Sequence, residues 1–247
     1  MNLENLRIVL VGTTHPGNIG ASARAMKTMG IDSLVLVNPM NFPHADATAR
    51  ATGADDVLLR ARVTDNLADA IDDCRLVIGA SARLRRISVP EMDPRACASR
   101  VAEVTREAQV ALLFGREQSG LSNEEMDRCH FLVRIPTNPN YHSLNLAAAV
   151  QVLAYEMRTA REHVAVIETP GPKAPLLAPV AEMERFYRHL EQVLCETGFL
   201  NSANPRHLMR RLRRLFNRAV PDQNEVNILR GILTSVQRSI RAGGEDV

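Results

Sequence analysis

The chain has 247 residues, enough for one large domain or for a catalytic domain with an appendage. A hydrophobic content of 45% with 23% charged residues is ordinary for a globular protein, and no apolar run approaches the roughly 20 residues that span a bilayer. The formal charge of +2 splits unevenly: residues 1–169 carry 18 Lys+Arg against 20 Asp+Glu, and residues 170–247 carry 12 against 8, so the tail holds the positive excess.

The opening MNLENLRIVLV lacks a basic n-region and runs straight into a strand, which speaks against a secretion signal and for the cytoplasm. That strand, residues 7–11, turns through Gly12 to Gly20 into a helix reaching about Met29. The glycine spacing is not GxGxxG, and Asn18-Ile19 stands where a P-loop needs Lys-Ser/Thr. As plain structure, Asn18 would be the helix N-cap. Arg24 then lies about one and a half turns into a helix of small residues (Gly20, Ala21, Ala23, Ala25), which lets another backbone or a substrate come close.

The chain then alternates. Ser33–Val37 reads as a strand, Ala45–Ala51 as a helix, residues 57–59 as a weak strand and 65–73 as a helix. Residues 76–79 read as a strand running into Ala80-Ser81-Ala82, and 94–109 have helical periodicity with Val101, Val104 and Ala108 on one face. Val110–Phe114 and residues 131–135 have the length and flanking turns of buried parallel strands. Six strands alternating with helices predict a mostly parallel α/β sheet. Each of the last two strands opens at its carboxyl end into a polar loop, where open α/β sheets place ligands. These loops are Gly115-Arg116-Glu117-Gln118-Ser119-Gly120 and residues 137–144, the latter meeting a helix over 144–161 at Ser143-Leu144-Asn145.

Four prolines in ETPGPKAPLLAP mark a linker over 166–179, separating a domain of residues 1–165 from a helical extension, 180–247. Helices are expected over 180–197, 205–219 and 221–240, with Pro205 and Pro221 at first helical positions. The middle one has an apolar stripe of Leu208, Met209, Leu212, Leu215 and Phe216. Arg206, Arg210, Arg211, Arg213, Arg214 and Arg218 lie around it without an intervening acid. Such a face is either solvated surface or a phosphate-binding surface, and six uninterrupted arginines favour phosphate. Aromatic residues make up 4% of the chain and tryptophan is absent, so recognition by base stacking is poorly supported. The four cysteines, at 74, 97, 129 and 195, show no metal-ligand spacing and read as buried apolar residues; no metal site is expected.

FGREQSGLS and IPTNPNYHSLNLA resemble the second and third signature motifs of the SPOUT methyltransferases, in the branch that methylates ribose 2′-hydroxyls of RNA. Asn18, Gly20 and Arg24 resemble the first motif, so the likeness spans about the first 160 residues. It implies a trefoil knot at the C-terminal end of the α/β domain, S-adenosyl-L-methionine as methyl donor, and a homodimer with shared active sites. It also implies tRNA as partner, with nucleotide 32 of the anticodon loop as target. Carried over residue by residue, the catalytic set is Asn18, Arg24, Glu117, Ser143 and Asn145. The donor would meet Ala80, Ser81, Ala82, Gly115, Ile135, His142, Ser143 and Leu144. Arg24 would hold the target phosphate, steadied by Glu117, while the basic helix (Arg206, Arg210, Arg211, Arg213, Arg214) gathers the RNA.

Taken singly, Glu117 reads as a solvated loop carboxylate, Ser143 as a turn hydroxyl and Asn145 as an N-cap. Together, at adjacent strand ends, they read as a site. A non-catalytic RNA-binding protein on the same scaffold and a nucleotide-dependent enzyme on an ordinary doubly wound sheet are the rival readings. Intact Arg24, Glu117 and Asn145 count against the first, and the broken glycine fingerprints against the second.

Overall fold

A computed structural model describes residues 1–81, 89–164, 176–201 and 207–243. It divides into two compact units, Met1–Lys173 and Ala174–Val247. The first runs β1 (Leu6–Val11), α1 (Pro16–Met29), β2 (Ser33–Val37), α2 (Ala45–Ala51), α3 (Asp55–Leu59), β3 (Arg62–Thr64), α4 (Leu67–Ile71), β4 (Leu76–Ala80), β5 (Glu91–Met92), α5 (Pro94–Val104), β6 (Val110–Phe114), α6 (Asn123–Met126), β7 (Phe131–Val133) and α7 (Leu146–Val164). All strand pairs are parallel, in the order β3-β2-β1-β6-β4-β7-β5.

Continuous apolar strands such as LRIVLV and VALLF are buried along their whole length, because helices cover both faces of a parallel sheet. Helices α1, α5 and α7 share a core with Ile8, Leu36, Ile78 and Leu112, while Val9, Val35, Val77 and Leu113 on the other face are equally buried. Leu146, Val150, Leu153 and Met157 form the buried face of α7, as their spacing predicts. Gly20 sets how closely α1 meets α2: a Cβ there would lie 1.9 Å from the Ala47 carbonyl oxygen.

Among the described residues, seven strands stand where six were expected. Residues 57–59 belong to helix α3, whose first turn carries Asp55 and Asp56, and the edge strand is Arg62–Thr64 instead. A three-residue apolar run fits either element, and its Leu59 is 86% exposed. The additional strand, β5, is a two-residue edge pairing with no pattern of its own.

Register decides where the site can form. Leu10 pairs with Phe114, Phe114 with Ala80, and Ala80 with Val133, so four neighbouring strands end at one level. Their loops leave the sheet side by side across about 14 Å, three strand spacings. At the opposite end Arg7, 8% exposed, donates to Asp73 at 2.7 and 2.6 Å, to Gln109 and to the Ala70 carbonyl, a purely structural cluster.

The second unit consists of α8 (Val180–Glu196), α9 (Leu208–Ala219) and α10 (Gln223–Gly243). Phe186, Tyr187, Met183, Val193 and Val226 form its core, with Phe216 edge-on to Phe186 at 4.8 Å. Leu215, expected in the apolar stripe of α9, is 48% exposed. Among the described residues no helix is long and apolar enough to cross a membrane. Cys74, Cys97 and Cys129 are buried as expected, but Cys195 is exposed because it lies on the outer side of α8.

His130, just before β7, is 4% exposed, and its Nδ1 accepts the Val77 N–H at 3.1 Å. Burial, helped by the charge of Arg100, pushes this imidazole down to about 4. An unfolded chain takes up that proton near pH 6.5 and the folded one only near 4, so stability is full above 6.5 and falls as pH drops between them. Urea unfolding between pH 4.5 and 7.5 is expected to show a loss approaching roughly 3 kcal/mol from this group. In His130→Gln that component disappears; parallel profiles for the two proteins would exclude His130 as its source.

Candidate active site

The level strand ends enclose a cavity of about 550 Å³. Ala80 and Ser81 after β4, Gly115 after β6, and Ile135, His142, Ser143 and Leu144 after β7 all line it, as the sequence places them. Ala82 lies outside the described residues. Phe114, Leu121, Val133, Leu146 and Ala149 complete an apolar wall that the sequence reading left out. Phe114 and Leu121 border the 115–120 loop already singled out, whereas Val133 lies at the end of β7 and Leu146 and Ala149 in the first turn of α7.

The loop after β6 closes on itself. Arg116 N–H donates to the Gly120 carbonyl at 3.2 Å, and Gly120 N–H returns to the Arg116 carbonyl at 2.8 Å, with Gly120 at φ 70°. A Cβ on Gly115 would lie 2.1 Å from the Gly120 carbonyl carbon, so only glycine allows this turn. Arg116 reaches one way, to Glu125 at 3.0 and 3.1 Å, and Glu125 also completes a capping box with Ser122 on α6.

Glu117 reaches the other way, to the start of α1. Its Oε2 accepts from Thr14 N–H at 3.1 Å and from Thr14 Oγ1 at 2.8 Å; its Oε1 accepts from His15 N–H at 3.2 Å and from Asn18 Nδ2 at 2.9 Å. His15, the N-cap of α1, makes no side-chain cap hydrogen bond, and the Glu117 carboxylate accepts from the N–H groups of Thr14 and His15 just ahead of the helix, where its negative charge suits the helix dipole. Burial alone would raise the Glu117 carboxyl, but the hydrogen bonds from Asn18 and Thr14 hold it down to about 2.

Asn18 is therefore not the N-cap of α1, which begins at Pro16; it sits within the first turn. Its Oδ1 accepts from Asn145 Nδ2 at 2.9 Å. Asn145 does cap α7, its Oδ1 accepting from Ala147 and Ala148 N–H at 2.9 and 3.3 Å. Its plain structural role and its place beside Asn18 are thus fulfilled together. Glu117, Asn18 and Asn145, from three separate stretches of sequence, form one hydrogen-bonded chain, with Ser143 on the cavity wall two residues away.

Arg24 stands apart. Six residues beyond Asn18 on α1, it is about 9 Å further along the axis and turned roughly 120° away. It is exposed, and among the described residues its guanidinium has no hydrogen-bond or ion-pair partner. The expected contact between Glu117 and Arg24 is not made within one chain, because all four bonds to the carboxylate come from Thr14, His15 and Asn18.

In the second unit the arginines divide. Arg213 chelates Glu184 with both terminal nitrogens and lies 4.4 Å over the Tyr187 ring, which commits it to holding α9 on α8. Tyr187 in turn donates to Asn217 at 2.7 Å. Arg211 and Arg218 are exposed, Arg210 and Arg214 half-buried, and Arg206 lies outside the described residues. Among the described residues no group of histidines, cysteines and carboxylates could hold a metal ion.

The model of the SpoU rRNA Methylase family matches residues 5–155, and that of the tRNA methyltransferase TrmJ, C-terminal domain, matches residues 181–245. The chain is 52% identical over 243 residues to the tRNA (cytidine/uridine-2′-O-)-methyltransferase TrmJ of Sodalis glossinidius (strain morsitans), covering 96% of this chain and 93% of that protein. It is 51% identical to the tRNA (cytidine/uridine/adenosine-2′-O-)-methyltransferase TrmJ of Pseudomonas aeruginosa (strain UCBPP-PA14), covering 97% and 96%. The crystal structure of TrmJ from Z. mobilis ZM4 matches with a TM-score of 0.81 at 34% identity, over 94% of this chain and 98% of that one. With its strand-end pocket, its three joined motifs and these likenesses over nearly its whole length, the chain belongs to the SpoU methylase family, in the TrmJ branch.

Proposed function

We propose that the protein transfers a methyl group from S-adenosylmethionine to a tRNA ribose 2′-hydroxyl, at cytidine or uridine 32 of the anticodon loop. The observation that carries this reading is the Glu117–Asn18–Asn145 chain beside the strand-end pocket. The relatives named as tRNA 2′-O-methyltransferases in S. glossinidius and P. aeruginosa support it.

The pocket suits the methyl donor. A cavity of about 550 Å³ with apolar walls and turns rich in backbone donors and acceptors can enclose an adenine and a short amino-acid tail. Ala80, Ser81, Gly115, Ile135, His142, Ser143 and Leu144 would hold it, together with Ala82. When bound, S-adenosylmethionine supplies an electrophilic methyl group on a sulfonium. The protein's own task is to hold the ribose oxygen in line with it, and such positioning supplies much of the rate. Asn18, Ser143 and Asn145 align the ribose and its backbone. Glu117 does not take the hydroxyl proton, because its carboxyl is held at about 2 and already accepts four hydrogen bonds. Arg24 binds the target phosphate with its guanidinium and stabilises charge developing on oxygen. Having no partner among the described residues of its own chain, it reaches the pocket of a second copy in a homodimer.

This reading gives the α/β unit, residues 1–165 with its trefoil knot, the chemistry. The extension, 180–247 beyond a linker over 166–179, gathers tRNA in the cytoplasm. Arg210, Arg211 and Arg214, with Arg206, contact phosphates, and Arg213 is withdrawn from that set by Glu184.

Incubation with tRNA and labelled S-adenosylmethionine, followed by nucleoside mapping, is expected to place one 2′-O-methyl group at position 32. Label on a base, or none at all, would overturn the reading. Arg24→Ala is expected to lower turnover by about 100-fold or more with donor binding retained. Glu117→Gln sets an amide NH₂ against N–H and O–H donors and is expected to cost turnover about 100-fold. Wild-type turnover in that variant would remove Glu117 from the site. In the extension, Arg211→Ala is expected to weaken tRNA binding and reduce its salt dependence by about one phosphate contact. Arg213→Ala is expected chiefly to lower the melting temperature of the second unit, and the reverse pattern would exchange their roles.

A further inference from the structure

We propose that Thr14 is a positioning residue for methyl transfer, its hydroxyl fixing the amide orientations of Asn18 and Asn145 by way of Glu117. The inference rests on the reading above that those two amides face the substrate. It assigns a function to a residue outside the Asn-Gly-Arg, Glu and Ser-Asn positions of the three motifs.

The donor and acceptor chemistry leaves one arrangement. An ionised carboxylate only accepts hydrogen bonds, so Asn18 must turn its NH₂ towards Glu117 Oε1, as it does at 2.9 Å. Its Oδ1 then points away and needs a donor, which Asn145 Nδ2 supplies at 2.9 Å. Asn145 in consequence turns its own Oδ1 back to the Ala147 and Ala148 N–H groups at the head of α7. Reversing either amide would set donor against donor or acceptor against acceptor. The polarity of the chain is therefore set at one end by the charge of Glu117 and at the other by the helix terminus.

What holds Glu117 at the correct angle is Thr14. Two backbone N–H groups, of Thr14 and His15, fall one on each carboxylate oxygen at 3.1 and 3.2 Å. The Thr14 hydroxyl makes the shortest of the four contacts, 2.8 Å to Oε2, and balances the Asn18 amide on Oε1. Without it, Oε2 keeps a single donor and the carboxylate can rotate about its Cγ–Cδ bond, taking Asn18 and then Asn145 out of line. The loss would fall on alignment and not on substrate affinity, since Thr14 does not line the donor cavity. A displacement of about an ångström is enough to cost turnover up to about 100-fold.

The test uses the full chain with tRNA and S-adenosylmethionine. Thr14→Val keeps the shape and the backbone N–H but removes the hydroxyl. Its kcat is expected to fall about 10- to 100-fold, with KM for both substrates within about 3-fold of wild type. Thr14→Ser, which restores the hydroxyl, is expected to recover most of the lost kcat. Thr14→Ala serves in place of Thr14→Val should the latter fold poorly. Wild-type kcat in the hydroxyl-free variants, or a Thr14→Ser variant as impaired as Thr14→Val, would overturn the proposal. Asn18→Ala and Asn145→Ala are measured alongside. If they lose turnover while Thr14→Val does not, the role of Thr14 is wrong and the site stands. If all three turn over normally, the reading of the site itself is wrong.

Discussion

A carboxylate that accepts four hydrogen bonds, from Thr14, His15 and Asn18, ties three parts of the chain together. Glu117 comes from the turn after β6, its donors from the junction of β1 and α1, and Asn18 passes the connection on to the head of α7. None of these stretches is near another in sequence; Thr14 and Glu117 are 103 residues apart. A group that can only accept imposes a direction on everything bonded to it, and so fixes which way each asparagine amide is turned. The same carboxylate serves the fold, because it fixes the turn of Thr14 and His15 that leads from β1 into α1.

The two ends of the sheet use charge differently. At the amino ends of the strands, Arg7 chelates Asp73 and is further bonded to Gln109 and the Ala70 carbonyl, so its charge is neutralised in place. At the carboxyl ends, Glu117 is satisfied by neutral donors alone and keeps its negative charge beside a cavity. That difference follows from topology. Parallel strands ending at one level release their loops side by side, and backbone N–H groups unused by the sheet gather there.

The longer helices, the central strands and the cavity loops were legible in the sequence because each leaves a local signature. Continuous apolar runs mark the strands, apolar faces at helical spacing mark the helices, and polar loops after strands mark the site, whereas Pro221, expected as a first helical residue, precedes α10, which begins at Gln223. What could not be read depended on partners distant in sequence. Residues 57–59 fit strand or helix until the acidic first turn and the neighbouring edge strand decide. A single threonine has no periodicity, so nothing marked Thr14. The arginines of α9 look alike in sequence until Glu184, 29 residues before Arg213, takes both terminal nitrogens of that side chain, a contact that composition does not record.

The geometry also narrows where the hydroxyl proton goes on the proposed reading. A simple scheme would let Glu117 accept it, or let Glu117 activate Arg24 to do so. Glu117 is unsuited to the first task, being a weak base whose lone pairs are engaged, and it makes no contact with Arg24 in its own chain to perform the second. A guanidinium is a poor general base, so a second copy's arginine at the cavity offers its positive charge and its N–H donors, not a site for the hydroxyl proton. Its contribution is then electrostatic, strongest as the ribose oxygen gains negative charge, and the proton leaves to water or to the adjoining phosphate. Catalysis on this view resides in alignment and in fixed charge, which is why the orientation of two asparagine amides carries so much of it.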